Sequence, residues 1–191
     1  MLSSINPLGE RGRGQNFGLT STFYVLGSTV GGMLLGTAGG SLGLLLPDGD
    51  WRFVAIALVA AIGAAMDLAR REPPSWRRQV DENWLSTYRG WVYGLGFGVQ
   101  LGVGVVTIVT SASLYSLVAI TTLAGPWRLA VLAGALFGFA RAIVILFARN
   151  AVDPVSLRRL MRGLQDGLPL ARTAVIGCQV LLVGASLAAV V

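Results

Sequence analysis

Long apolar runs, separated by short polar segments, dominate the pattern of hydrophobic and polar positions along this 191-residue chain. Five of the runs approach or exceed the ~20 residues that a helix needs to cross about 30 Å of hydrocarbon. Trp51, Arg52 and Arg70 can extend the shortest run, because their polar ends reach the two membrane surfaces. The pattern predicts an all-α fold, a polytopic transmembrane helix bundle with spans at about residues 19–46, 51–70, 91–123, 127–148 and 172–191.

Two polar segments between the spans have the apolar stripe of an amphipathic helix. In residues 71–90 the stripe recurs at every fourth position, and in residues 149–171 it follows a helix start marked by Asp153 as the cap and Pro154 in the first turn. Helices of this kind lie in the headgroup layer of a membrane. We therefore predict two cytoplasmic interfacial helices, which contact anionic lipid headgroups or partner proteins through Trp76, Arg77, Arg78, Trp84, Arg158, Arg159 and Arg162.

The basic charge of the chain indicates its orientation. Hydrophobic residues make up 54% of the chain, and the net charge of +6 comes from arginine alone, because lysine and histidine are absent. Twelve arginines lie before span one, between spans two and three or between spans four and five, whereas the opposite loops carry only Arg52 and Arg128. The positive-inside rule then predicts a bacterial plasma-membrane protein with a cytoplasmic N-terminal tail (residues 1–18), one transmembrane domain (residues 19–191) and the C-terminus outside.

The same charge distribution bears on partners and processing. Arginines gathered beside the spans are a topology signal, so nucleic acid is not expected as a partner. The first apolar run is too long for the h-region of a cleavable signal peptide, and span one should therefore remain as an anchor.

The spans also show an internal repeat. Trp51-Arg52-Phe53 begins an alanine-rich span, and Trp127-Arg128-Leu129 begins another. Glycines of the preceding spans correspond as well, and Gly177-Cys178-Gln179 resembles Gly98-Val99-Gln100. Because one hairpin contains two crossings, its copies would enter the membrane in the same direction, which predicts a parallel hairpin repeat.

Glycines at every fourth position form two ridges of small residues, one in span one and one in span three. Such ridges allow helix backbones to approach closely in lipid. One interpretation is that they pack the spans of this chain, and the other is that one ridge docks a partner helix or a second copy of the chain. The helix-packing residues are Gly32, Gly36, Gly40, Gly94, Gly98 and Gly102.

Arg141 and Asp67 are the two candidate polar residues within the spans. Arg141 lies eight residues inside Arg149, a depth of about 12 Å on a helix, and an intramembrane arginine is costly. It could snorkel to the surface, pair with Asp67, or bind an anionic headgroup or a partner carboxylate. Asp67 lies one turn before Arg70, which favours a place at the cytoplasmic edge.

The residues that most catalytic sites need are missing from the sequence. The chain has no histidine and a single cysteine, Cys178, which we expect to be a small core residue. The glycine-rich run at residues 6–16 lacks the lysine and the spacing of a phosphate-binding loop, and it is interpreted as a tail that docks on a partner or on headgroups. We therefore predict no enzyme activity, no cofactor and no metal site.

The stretch from Arg11 to Leu68 resembles a known scaffold. Its features are Phe23-Tyr24-Val25-Leu26-Gly27-Ser28, the glycines up to Gly43, the Leu44-Leu45-Leu46-Pro47 stop and the alanine-rich second span. It is similar to spans two and three of the cytochrome c biogenesis thiol-electron carriers related to DsbD. That resemblance implies electron transport across the membrane through paired cysteines beside prolines. The pairs are absent, and Asn6-Pro7-Leu8 stands where one would be sought, so the resemblance implies the scaffold without its redox chemistry.

The alanine, glycine and arginine bias also resembles that of small uncharacterised actinobacterial membrane proteins. With about five spans and no deep set of ion-coupling residues, we expect a non-catalytic accessory subunit of a larger membrane complex, such as a transporter or a lipid-import machine. Its partners would be membrane lipids and other membrane subunits or a second copy. The alternative is a small transporter or exporter, possible as a homodimer, with a groove near Arg141 and the hydroxyl-rich part of span three, residues 107–122.

Overall fold

The structure is a computed structural model that describes residues 5–71, 73, 83–104 and 111–190, and these residues form helices and connecting segments without a β-strand. The helix that begins at Trp127 is continued by a 3-10 segment, Val144–Asn150. The helices are α1 (Pro7–Gly12), α2 (Phe17–Gly43), α3 (Trp51–Leu68), α4 (Trp84–Thr87), α5 (Gly90–Val103), α6 (Ser113–Leu123), α7 (Trp127–Ile143) and α8 (Pro154–Ala188).

Four helices are long and apolar enough to cross a membrane: α2, α3, α7 together with its 3-10 extension, and α8. The chain is therefore an all-helical, multi-pass membrane protein, as the apolar runs predict. The long helices also expose many large apolar side chains, including Leu45, Leu170 and Leu181. Exposed apolar surface on this scale fits a protein whose solvent is lipid.

Helix α2 lies at the centre of the bundle, between α5 and α7. It runs parallel to α5, because a Cβ added to Gly98 would meet Tyr24 and one added to Gly102 would meet Ser28. It runs antiparallel to α7, where Gly134 faces Gly32 and residue 138 faces Ser28. Glycines on both sides of each contact bring the backbones together, which is how helices associate closely in lipid.

The expected third span is not one continuous helix. Helix α5 ends at Val103, Gly104 takes the left-handed conformation with φ = 74°, and helix α6 begins only at Ser113. The expected span over residues 91–123 is therefore interrupted after Val103. Glycine adopts this conformation without the steric cost that a Cβ brings, so Gly104 can end a helix whose flanking residues are all apolar.

The predicted hairpin repeat stays a sequence-level prediction. Helices α2 and α5 do enter the bundle in the same direction. However, α3 packs mainly against α8 and α6, whereas α7 packs along α2. The second helix of each proposed hairpin is thus surrounded differently from its counterpart.

The C-terminal part of the chain forms one helix, α8, of 35 residues. Asp153 caps it as expected, since its carboxylate accepts hydrogen bonds from the backbone of Ser156 (2.9 Å) and Val155 (2.8 Å), and these bonds hold the pKa of Asp153 below its usual range. The expected interfacial segment 149–171 and span 172–191 are therefore joined without a helix end. At about 1.5 Å per residue, α8 is longer than a bilayer core, so one end must lie outside it.

The N-terminal tail and Cys178 are also placed differently from the expectation. Ile5 and Asn6 are buried, and Glu10 in α1 is fully buried, so residues 5–12 pack against the chain itself and do not project as a free tail. Cys178 was expected in the core and is exposed on α8. The reason is that α8 contacts the bundle mainly through α3, which leaves most of its circumference uncovered.

Candidate functional site at the break in the third span

Arg141 reaches the end of α5, the first half of the broken span. Its Nη1 donates a hydrogen bond of 2.8 Å to the carbonyl oxygen of Leu101, one of the carbonyls left open where the helix stops. The guanidinium also lies 5.4 Å from the ring centre of Phe137. The arginine thus satisfies a backbone acceptor that lipid could not satisfy, which gives a physical reason for its presence inside the span.

Asp67 occupies the matching position at the start of α6, the second half of the span. Its two carboxylate oxygens accept hydrogen bonds from the backbone N–H of Ala112 (3.1 Å), the hydroxyl of Ser111 (2.9 Å) and the side-chain amide of Gln179 (3.2 Å). The residue is only 6% exposed. A carboxylate at a helix N-terminus and a guanidinium at a helix C-terminus both complement the helix dipole, so each half-helix carries a charge of the favourable sign.

These contacts correct two expectations about the pair. Among the described residues, the Arg141–Asp67 ion pair is not formed, because each charge binds a different half-helix. Nor does Asp67 lie at the edge of the bundle. The end of α5 lies beside Gly32 and residue 121 of α6 lies beside Gly39, so the break faces the middle of α2. Asp67 is bonded to the residues that form this break.

Two buried polar atoms beside Asp67 have no hydrogen-bond partner among the described residues: Oγ of Ser116 and Oε1 of Gln179. Both residues are at least 95% buried, with exposures of 5% and 3%. Their side chains lie beside Gly63, since a Cβ added there would lie 3.2 Å from Nε2 of Gln179 and 3.5 Å from Oγ of Ser116. Unpaired buried polar atoms are uncommon in native proteins and call for an explanation.

Both glycine ridges face helices of the same chain. A Cβ on Gly36 would overlap the carbonyl oxygen of Ala130, and one on Gly98 would overlap that of Tyr24. The ridges therefore pack this chain's own helices in the structure, which is the first of the two interpretations above. A Cβ on Gly40 would lie 3.1 Å from Ala130 and Trp127 of α7, and the remaining ridge glycines meet carbonyl oxygens of α7 or α2: Gly32, Gly94 and Gly102.

The predicted headgroup contacts fall into three groups. Arg158, Arg159 and Arg162 are exposed on the first turns of α8. Trp84, which is half-buried, packs against α5, with its ring stacked on Phe97 at 5.9 Å between centroids, so it also stabilises the bundle. Trp76, Arg77 and Arg78 lie outside the described residues.

A buried polar cluster around Glu10 has no counterpart among the sequence predictions. The carboxylate accepts hydrogen bonds from Thr20 (2.7 Å), Tyr93 (2.5 Å) and Arg13 (2.6 Å). Burial acts to lower the pKa of Arg13, but the hydrogen bond and the charge of Glu10 outweigh it, so that this pKa is raised. Tyr93 lies 83 residues from Glu10, and no local pattern in the sequence could have indicated the contact.

Comparisons with known proteins add one relative. No family model matches the chain, and no solved structure matches it. In an alignment 154 residues long that covers 75% of this chain, the sequence is 30% identical to the methylamine utilization protein MauF of Paracoccus versutus. The aligned region is 55% of that protein, so the chain spans about half the length of the curated relative that it matches.

Proposed function

We propose that the chain is a small membrane transporter whose pathway passes the break in its third span. The observation that carries this proposal is the discontinuous helix formed by α5 and α6, with Arg141 at the end of one half and Asp67 at the start of the other. This was the alternative function at the level of sequence, and the geometry favours it over the first.

Physical chemistry supports the link between such a break and transport. Non-helical backbone at membrane depth is costly unless it is buried in protein or lines a cavity, and in many carriers the binding site is formed by a discontinuous helix. Ionisable residues inside spans are rare outside ion and substrate pathways. The break, the two charges and the unpaired Ser116 oxygen lie together in the described part of this chain.

The relative suggests a class of cargo to test first. MauF is described as a methylamine utilization protein, and methylammonium is a small cation that a buried carboxylate can bind. We therefore include methylammonium with ammonium, amino acids and inorganic ions among the trial solutes. The expected membrane orientation, with a cytoplasmic N-terminus and the C-terminus outside, belongs to the same proposal.

An accessory subunit of a larger complex is the second candidate, and α8 favours it. Gly163, Gly167, Gly177 and Gly184 of this helix have no neighbouring atom within 4 Å of an added Cβ. In α2, by contrast, the glycines are covered by other helices. A helix of another subunit could approach α8 closely at these positions.

Transport is tested by applying the trial solutes to proteoliposomes on a solid-supported membrane and recording the transient currents. We expect a current with at least one charged solute. We expect Arg141→Gln to reduce it about tenfold or more, because the end of α5 loses its charged donor, a loss of about 1.4 kcal/mol or more. Arg149→Gln, at an exposed arginine of the 3-10 segment that continues α7, is the matched control and should keep most of the current.

The two candidate functions give different results on native purification. A transporter should be recovered from mild detergent alone or as a homodimer. Foreign subunits in stoichiometric amounts, together with no current for any solute, would contradict the transport proposal and favour the accessory subunit.

A further inference from the structure

We infer that Asp67, Gln179 and Ser116 form a binding site for a small monovalent cation beside the break in the third span. A role of this site in transport rests on the proposed function. The binding itself can be measured in detergent, without any transport.

The geometry supplies oxygen ligands from three helices. Asp67 comes from the end of α3, Ser116 from α6 and Gln179 from α8. Because a carboxylate accepts hydrogen bonds and cannot donate them, the amide nitrogen of Gln179 points to Asp67 at 3.2 Å. The amide oxygen must then point elsewhere, and it has no partner among the described residues.

The Ser116 hydroxyl and the side-chain amide of Gln179 border the same small space. The positions of Gln179 and Ser116 on either side of Gly63 leave room where a side chain would otherwise be. A cation in this space would be bound by the Gln179 carbonyl oxygen and the Ser116 hydroxyl oxygen, with the charge of Asp67 beside it. Both orphaned atoms would then have a partner, which explains why the protein keeps them buried.

The charge of the site selects the class of ligand. Asp67 is the only carboxylate in the described contacts of this cluster, so one positive charge balances it. The described residues contain no group of three His, Cys, Asp or Glu side chains that could hold a metal ion, which disfavours a divalent ion. An alkali ion and a small ammonium ion share the required chemistry: one charge, small size and affinity for oxygen.

The test measures thermal unfolding of the full-length protein in detergent at constant pH and ionic strength. Choline chloride is replaced stepwise by sodium, potassium, ammonium or methylammonium chloride. We expect the unfolding midpoint to rise with one of these cations, because a ligand that binds only the folded state stabilises it. Comparison of the sodium and potassium titrations with the ammonium and methylammonium titrations shows whether the site binds an alkali ion or an ammonium ion.

Ser116→Ala is the decisive variant. The change removes a hydroxyl without a hydrogen-bond partner, so it should leave the unfolding midpoint in choline chloride equal or higher. It should nevertheless weaken the apparent affinity for the cation about tenfold. Gly63→Ala should have the same effect on affinity, because its methyl group would fill the space between the ligands. Ser41→Ala, at an exposed site, and Gly167→Ala, with no neighbour within 4 Å, are the controls.

Asp67→Asn should abolish the response to the cation, with Asp166→Asn on the exposed surface as its control. If Asp67→Asn does not fold, Ser116→Ala and Gly63→Ala still decide the question. The proposal is overturned if no cation shifts the midpoint of the unmodified protein, or if both of those variants respond as it does. A cation response with no current in proteoliposomes would support the site and contradict the transport function.

Discussion

Gly98→Leu is expected to prevent recovery of a folded, monodisperse protein. A Cβ at this position would overlap the carbonyl oxygen of Tyr24 and lie 2.8 Å from the backbone nitrogen of Ser28. Backbone atoms cannot rotate away as a side chain can, so α5 must separate from α2. Overpacking usually costs about 1–3 kcal/mol, and we expect about 3 kcal/mol or more here. Size-exclusion chromatography in detergent measures the outcome.

Gly36→Leu should have the same effect at the other side of α2, because its Cβ would overlap the carbonyl oxygen of Ala130 in α7. Gly177→Leu in α8 is the control, as nothing lies within 4 Å of its added Cβ. If Gly98→Leu and Gly36→Leu both elute as sharp, folded peaks, the ridges do not pack these helices. A folded Gly36→Leu protein that loses only a co-purifying partner would instead support docking of a second protein.

Glu10→Ala is expected to release the N-terminal segment from the bundle. The fully buried carboxylate joins Thr20, Tyr93 and Arg13, and its removal leaves the partially buried guanidinium of Arg13 without this counter-charge. Removing one partner of a buried ion pair typically costs about 3–5 kcal/mol. Because Arg13 is partly exposed, we expect a cost at or below the lower end of that range, about 2–3 kcal/mol.

Thermal unfolding and limited proteolysis measure this effect. The variant should unfold at a lower temperature and should be cut within residues 5–15, where we expect the unmodified protein to resist cleavage. Asp48→Ala, at a side chain that is 99% exposed, is the control and should change neither result. Tyr93→Phe, which removes one of the hydrogen bonds to Glu10, should give a smaller loss of stability. Equal stability of Glu10→Ala and the unmodified protein would show that the cluster contributes nothing to folding.

Several features could be predicted from the sequence because their cause is local. The four long helices follow from apolar runs that only lipid can solvate. The start of α8 follows from Asp153 and Pro154, whose capping and conformational preferences act within one turn. Glycines at every fourth position predict close packing on one face, and the structure places residues 32, 36, 98 and 102 at such contacts.

The candidate functional site could not be predicted from the sequence, because its contacts join residues that lie far apart in the chain. Residues 91–123 form an almost uninterrupted apolar run, so the break after Val103 was not visible. The open backbone groups at this break are bonded by Arg141 and Asp67, which lie 40 and 45 residues from Leu101 and Ala112, respectively. The position of Asp67 one turn before Arg70 favoured a place at the membrane edge. That expectation failed because distance along the sequence measures depth only while the chain continues as a straight helix.

The sequence by itself determined that this is a helical membrane protein, since the length and polarity of each run decide whether lipid can solvate it. Only the tertiary structure decided which helices meet, where the third span breaks, and that Glu10 and Asp67 are buried. These features depend on contacts between residues far apart in the chain, such as Asp67 with Gln179, 112 positions away. Their energies come from satisfying polar groups in a bundle that exists only after folding.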